Sequence, residues 1–169
     1  MKEKIHIRQA ELQYLDAIER IELENFSEEE AIAREILKDH IEKIQTTFLV
    51  AECQGQILGY LEGPVRPERY LIDSSFSEVE DLSQLEQGFI SITSLSIAKE
   101  SQGLGVGTLL LEAMKEIALK DNRQGINLTC HDYLIPYYEK QGFTNEGRSE
   151  SQYAGEVWYN LVWENEKLD

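Results

Sequence analysis

The chain has 169 residues, 41% hydrophobic and 28% charged, enough apolar content for one core and too little length for two ordinary domains. Residues 1–169 therefore read as one domain. With 16 basic against 32 acidic side chains the formal charge is -16, which argues against nucleic acid and anionic membranes as partners, since both demand a basic surface. A field of that sign attracts cationic ligands or simply keeps the protein in solution.

No apolar run approaches the ~20 residues of a membrane helix, and Met1-Lys2-Glu3-Lys4-Ile5-His6 lacks a signal-peptide core. A cytoplasmic protein is expected, with monomer and homodimer both open. Cys53 and Cys130 each end an apolar, strand-like run and read as buried free thiols, and no clustered ligands suggest a metal site.

Ile5-His6-Ile7 alternates like an edge strand, and Leu12, Leu15, Ile18 and Ile21 then adopt helical spacing. Ser27 followed by Glu30 fits a capping box and predicts a second helix from about Glu28 to Ile44. Phe48–Ala51 and Gln56–Leu61 flank Gln54-Gly55, a hairpin whose second strand should stop at Gly63-Pro64. The polar stretch from Arg66 to Gly88 is long for a bare connection and reads as an excursion holding a short helix.

Phe89 to Ile97 alternates small hydroxyl with bulky apolar residues and predicts one central strand with unlike faces. Leu110, Ala113, Met114 and Ile117 mark a core-facing helix, and Ile126–Cys130 another strand. Pro136 can open a short helix through Lys140 that Gly142 ends. Strands near 144–148 and 157–163 complete the sheet, with Trp158 and Trp163 on opposite faces of the last one. The result is a mixed α/β single sheet.

Gln102-Gly103-Leu104-Gly105-Val106-Gly107 lies between strand and helix, where free backbone N–H groups and the helix dipole favour a phosphate. A turn needing glycine only for its dihedrals is the plainer alternative. Neither a P-loop lysine nor the dinucleotide G-x-G-x-x-G spacing is present.

The sequence here resembles the GNAT (GCN5-related N-acetyltransferase) superfamily, whose loop Gln/Arg-x-x-Gly-x-Gly/Ala is matched by Gln102, Gly105 and Gly107. The block from Leu128 to Phe143, with Tyr-Glu-Lys-Gln-Gly-Phe at its end, looks like the family's cofactor-clasping segment. The ending Gly155–Tyr159 is similar to the arylalkylamine N-acetyltransferase branch and its bacterial relatives. The resemblance covers essentially the whole chain. It implies a mostly antiparallel sheet with a splayed parallel pair, flanked by helices. It implies acetyl-CoA as cosubstrate, held by Leu95, Ser96, Ile97, Gln102, Gly103, Leu104, Gly105, Val106, Gly107, Thr108, His131 and Tyr138. The pantetheine arm would pair with the backbone at Leu95 and Ile97, where the strands ending near Ile97 and Cys130 diverge.

Acetyl transfer to a small cationic amine needs a base to take the ammonium proton and an acid for the departing thiolate. The resemblance places Tyr138 as that acid, against the alternative of a core tyrosine with its hydroxyl at the rim; Tyr137 flanks it. Where the arylalkylamine enzymes carry two strand histidines, this chain has Ser91 and Thr93, neither a base at neutral pH. Glu62 is nominated as base through waters held by those hydroxyls. His131 stands near the expected pantetheine arm or faces solvent; Cys130 has no activating partner and reads as packing. Glu28–Glu30 and the Glu78–Asp81 stretch either border the acceptor cleft or are solvated faces. A CoA-binding module without turnover, an acetyltransferase of a protein or peptide amine, and an enzyme of another nucleotide remain the rivals.

Overall fold

The computed structural model describes residues 4–168; Met1–Glu3 and Asp169, within the expected single domain, lie outside the described residues. Nine strands and four helices are described: β1 (His6–Gln9), α1 (Leu15–Asn25), α2 (Arg34–Lys43), β2 (Phe48–Cys53), β3 (Gln56–Glu62), β4 (Val65–Arg66), β5 (Phe89–Ile92), β6 (Ser94–Ile97), α3 (Val106–Lys120), β7 (Gly125–Cys130), α4 (Ile135–Lys140), β8 (Thr144–Arg148) and β9 (Tyr159–Glu164).

The expected single sheet is two sheets, ordered β1-β2-β3-β6 and β4-β5-β7-β9-β8. The predicted central strand is cut at Thr93. Its first half, β5, runs parallel to β7 from Phe89↔Gly125 to Ile92↔Leu128. Its second half, β6, turns to pair antiparallel with β3, ending at Glu62↔Ser94. The Thr93 N–H also donates to the Glu62 carbonyl (2.8 Å), so Thr93 and Ser94 both oppose Glu62, a β-bulge with one extra residue. The parallel pair opens there, as the resemblance implied. At the crossing, a Cβ on Gly63 would stand 1.8 Å from the Ser91 carbonyl oxygen, so no other residue fits.

One apolar core lies between the sheets and α3, with Ile90, Ile92, Leu110, Leu111, Met114, Ile126, Leu128 and Leu161 buried. A second forms where α1 and α2 cover β2 and β3, around Ile18, Ile21, Leu37, Phe48, Val50 and Tyr60. The hairpin turns through Gln54 (φ 51) and Gly55 (φ 79), as Gln-Gly suggested. The 66–88 excursion holds one 3-10 turn, Asp73–Phe76.

Two boundaries differ from expectation. Helix α2 begins at Arg34 instead of Glu28, because residues 26–33 make a single turn (Ala31 N–H to Ser27 O, 2.8 Å) and are then held by tertiary bonds. The Ile32 N–H donates to Glu22 (2.8 Å) and Glu30 pairs with His131 (2.7 Å). Trp158 precedes β9, its indole N–H donating to the Tyr153 carbonyl (2.8 Å). Cys130 is buried and Cys53 only half-buried; both are free thiols.

Candidate active site

Helix α3 starts without a side-chain cap, from Gly105 in the left-handed region (φ 80). The first N–H groups of a helix have no intrahelical acceptor, and here they face a groove of about 590 Å³, a volume typical of cofactor sites. Gln102, Gly103, Gly105, Val106, Gly107 and Thr108 form one wall, and Leu95, Ser96 and Ile97 another. A Cβ on Gly103 or Gly105 would meet nothing within 4 Å, so these two are glycine for their positive φ alone. Gly107 differs: a Cβ there would stand 2.3 Å from the Tyr137 hydroxyl. Leu104 points outward, 63% exposed, and only its main chain faces the loop.

The register of β6 decides what it offers. Ala98 N–H donates to Leu58 O, and in an antiparallel ladder such pairs alternate, so Ser94 and Ser96 bond to β3. The N–H and C=O groups of Leu95 and Ile97 therefore point to the open edge. The Ile97 carbonyl accepts from Asn25 and Gln102, at 2.7 and 3.3 Å. The Ser96 hydroxyl turns to α1, between Asn25 Nδ2 (2.7 Å) and the Ile21 carbonyl (3.3 Å), so its side chain is not a groove group. No lysine or arginine lines the groove among the described residues; an anion would rest on backbone amides and the helix dipole.

Beyond the groove lies a smaller cavity of about 120 Å³. Tyr138, Leu95, Asn25, Phe26, Tyr133 and Leu134 line both spaces. Tyr138 is buried and burial raises its phenol pKa, which keeps the hydroxyl a proton donor. The cavity wall adds Phe76, Tyr153, Trp158 and His131, with Glu22 and Glu30 as its carboxylates. His131 stacks on Trp158 (4.3 Å between centroids) and bonds Glu30 through Nε2 (2.7 Å), with 21% of its side chain exposed. The Tyr153 hydroxyl donates to the Glu30 carbonyl (2.9 Å), closing the roof. Of the acidic runs, Glu30 borders the cavity, whereas Glu28, Glu29, Glu78, Glu80 and Asp81 are exposed and none of them lines it.

Glu22 is the group that the sequence reading passed over. It projects from α1, 1% exposed. One carboxylate oxygen accepts from the Tyr60 hydroxyl and from Ser94 (3.0 Å), the other from the Ile32 N–H (2.8 Å). Burial pushes its pKa up to about 7, against the lowering effect of those hydrogen bonds. The signal was present: Glu22 lies four residues after Ile18 and beside Ile21, on the buried stripe of its helix. Glu62, the nominated base, is wholly buried, bonded to His40 and Thr93, and is not a cavity wall; Thr93 stands between. Cys130 is buried, and burial raises its thiol to about 12, which leaves no thiolate for nucleophilic work at neutral pH.

Among the described residues no His, Cys, Asp and Glu cluster suits a metal ion, and no helix is long and apolar enough to cross a membrane. Residues 14–164 match the acetyltransferase (GNAT) domain family. An N-alpha-acetyltransferase of Sulfurisphaera tokodaii is 29% identical over 110 residues, which span 62% of this chain and 60% of that relative's length. The loading GNATL domain of CurA from Lyngbya majuscula superposes with a TM-score of 0.75 at 15% identity, covering 95% of this chain and 98% of that one. Naa50 of Arabidopsis thaliana, solved in complex with a bisubstrate analogue, gives 0.73 at 15% identity, covering 95% and 98%.

Proposed function

The chain belongs to the acetyltransferase (GNAT) domain family, and from that premise we propose that it is an N-acetyltransferase moving acetyl from acetyl-CoA to a small primary amine. The carrying observation is the meeting of an amide-lined groove with a compact, acidic, aromatic cavity at one buried tyrosine. The groove residues fit the cosubstrate: free N–H groups at the start of α3 for its phosphates, and the open edge at Leu95 and Ile97 for its amides. Bound acetyl-CoA supplies an activated thioester. The protein supplies positioning and proton management.

In this reading Glu22, whose pKa is held near 7, takes a proton from the incoming ammonium. Tyr138 gives its hydroxyl proton to the sulfur that departs. The cavity is built for a compact cation: two carboxylates, seven aromatic or imidazole rings and no lysine or arginine line it among the described residues. The aromatic wall and the Gly155–Tyr159 ending support a place beside the arylalkylamine-type acceptors. The archaeal relative's name supports a second reading, a peptide N-terminus as acceptor. Against it stands the roof, where Glu30 joins both His131 and Tyr153 over the cavity.

The test is a thiol-release assay with acetyl-CoA over arylalkylamines, polyamines, aminoglycosides and peptide N-termini. Turnover concentrated on compact monoamines is expected. Turnover on peptides alone would replace the acceptor, and no acetylation of any amine, with acetyl-CoA bound, would replace an enzyme by a binding module.

A further inference from the structure

Behind the cavity lies a second buried carboxylate without a task in the chemistry above. Glu62 at the end of β3 and His40 on α2 are both wholly buried. His40 Nδ1 lies 2.8 Å from Glu62 Oε2, within hydrogen-bond distance. The other oxygen, Oε1, accepts the Thr93 hydroxyl at 2.5 Å. Thr93 is the bulge residue and a cavity wall.

An ionised carboxylate only accepts hydrogen bonds. Both neighbours must therefore donate: the imidazole proton sits on Nδ1, and the single hydroxyl proton of Thr93 is committed to Glu62. What Thr93 Oγ1 has left is lone pairs. A buried imidazole–carboxylate contact adds little net stability over apolar packing, so its retention calls for a use. Tying α2 to β3 would explain the His40 contact but not the bond to Thr93.

We propose that His40 and Glu62 are positioning residues that lock Thr93 as an acceptor-only group for the incoming amine, and that Thr93 thereby determines specificity for N–H donors. The proposal rests on the amine-acetylation reading and deepens it. A primary ammonium carries three N–H donors: Glu22 takes one and Thr93 another, leaving the nitrogen oriented between α1 and the bulge. A ligand offering an ether or carbonyl oxygen at that point meets only lone pairs and is rejected.

Two measurements test this, one independent of turnover. Proton NMR of the whole protein should show a slowly exchanging Thr93 hydroxyl, and nitrogen shifts should place the His40 proton on Nδ1. Glu62→Leu leaves the Thr93 hydroxyl only the main-chain carbonyl of residue 62, 3.2 Å away, so its exchange should speed up, whereas Glu62→Gln, whose amide oxygen still accepts, should keep it protected. A freely exchanging Thr93 hydroxyl in the wild type, or His40 protonated on Nε2 alone, overturns the proposal. In kinetics with acetyl-CoA and 2-phenylethylamine, Thr93→Val should raise the amine KM about tenfold to hundredfold, the scale of a lost hydrogen bond to a charged group. The acetyl-CoA KM should stay unchanged, and Thr93→Ser should restore the amine KM to within about threefold. Equal rises in both KM values, or none, refute the specificity role. If the wild type acetylates no amine at all, the functional reading falls, and the hydroxyl spectrum still decides the positioning role.

Discussion

Replacing Glu22 by glutamine tests the proposed base through two observables that move independently. The carboxyl is buried and its pKa stands at about 7, raised from 4.5 mainly by burial. At about 1.4 kcal/mol per pKa unit this is an order-of-magnitude effect of about 3 kcal/mol. Because the folded pKa lies above the unfolded one, the folded state binds the extra proton. Stability from this group is full below pH 4.5 and is lost as pH rises through 7. Glutamine removes that slope. It also sets an NH2 against one donor, either the Ile32 N–H or the Tyr60 and Ser94 hydroxyls, at a cost of about 1–3 kcal/mol at every pH. Urea unfolding should therefore find Glu22→Gln less stable than wild type at pH 5, and equal or better at pH 8. Thiol release should fall about 100-fold to 10,000-fold, with the acid limb of kcat/KM near pH 7 gone. A constant stability difference across that range, or an unchanged acid limb, would refute the assignment.

Tyr138→Phe keeps the ring in the core and removes the acid, so kcat should drop about 10-fold to 100-fold in the thiol-release assay with the acetyl-CoA KM unmoved. Gly107→Ala drives a methyl against the Tyr137 hydroxyl, 2.3 Å away, and calorimetry should show acetyl-CoA binding weakened; adding Tyr137→Phe should recover much of the loss. Deleting Thr93 removes the extra residue of the bulge, so that Leu95 follows Ile92 at a step of two and Ile90, Ile92, Leu95 and Ile97 all stay on the α3 side. Urea unfolding should therefore remain cooperative, with stability lowered by about 1–3 kcal/mol for the buried Glu62 carboxylate left without the Thr93 hydroxyl, and a collapse of cooperativity would contradict the account of the bulge.

The bulge was legible, though unread, in the sequence. Strict alternation from Phe89 to Ile97 would keep Ile90 and Ile92 on one face and put Leu95 and Ile97 on the other. All four in fact belong to the same core with α3, and the step of three from Ile92 to Leu95 is the mark of an inserted residue. The glycine loop, the hairpin and the short α4 were readable because each depends on local chemistry, positive φ, N-terminal proline and helical spacing, whereas Tyr138 was nominated through the family resemblance alone. The start of α2 was not: the Ser27 hydroxyl meets the Glu30 carboxylate (3.4 Å), which is not the side-chain-to-backbone pairing of a capping box, and distant partners, His131 and Glu22, take up residues 30 and 32. Trp158 and Tyr153 joined the site for the same reason, through contacts far apart in sequence that periodicity cannot register.

The charge distribution bears on both ligands with opposite sign. A chain of net charge -16 repels an anionic cosubstrate at long range, and only the uncapped α3 terminus and its amides attract it nearby. The amine is drawn by the same field and by Glu22 and Glu30 in the cavity. Added salt screens the long-range part, the Debye length shrinking from about 10 Å at 0.1 M to about 3 Å at 1 M, while hydrogen bonds to backbone amides inside the groove are little affected. Steady-state kinetics between 0.05 and 0.5 M potassium chloride should therefore show the acetyl-CoA KM falling and the amine KM rising. Two KM values rising together would mean that the groove binds its anion through side-chain charge after all, and the amide-and-dipole account of the α3 terminus would have to be abandoned.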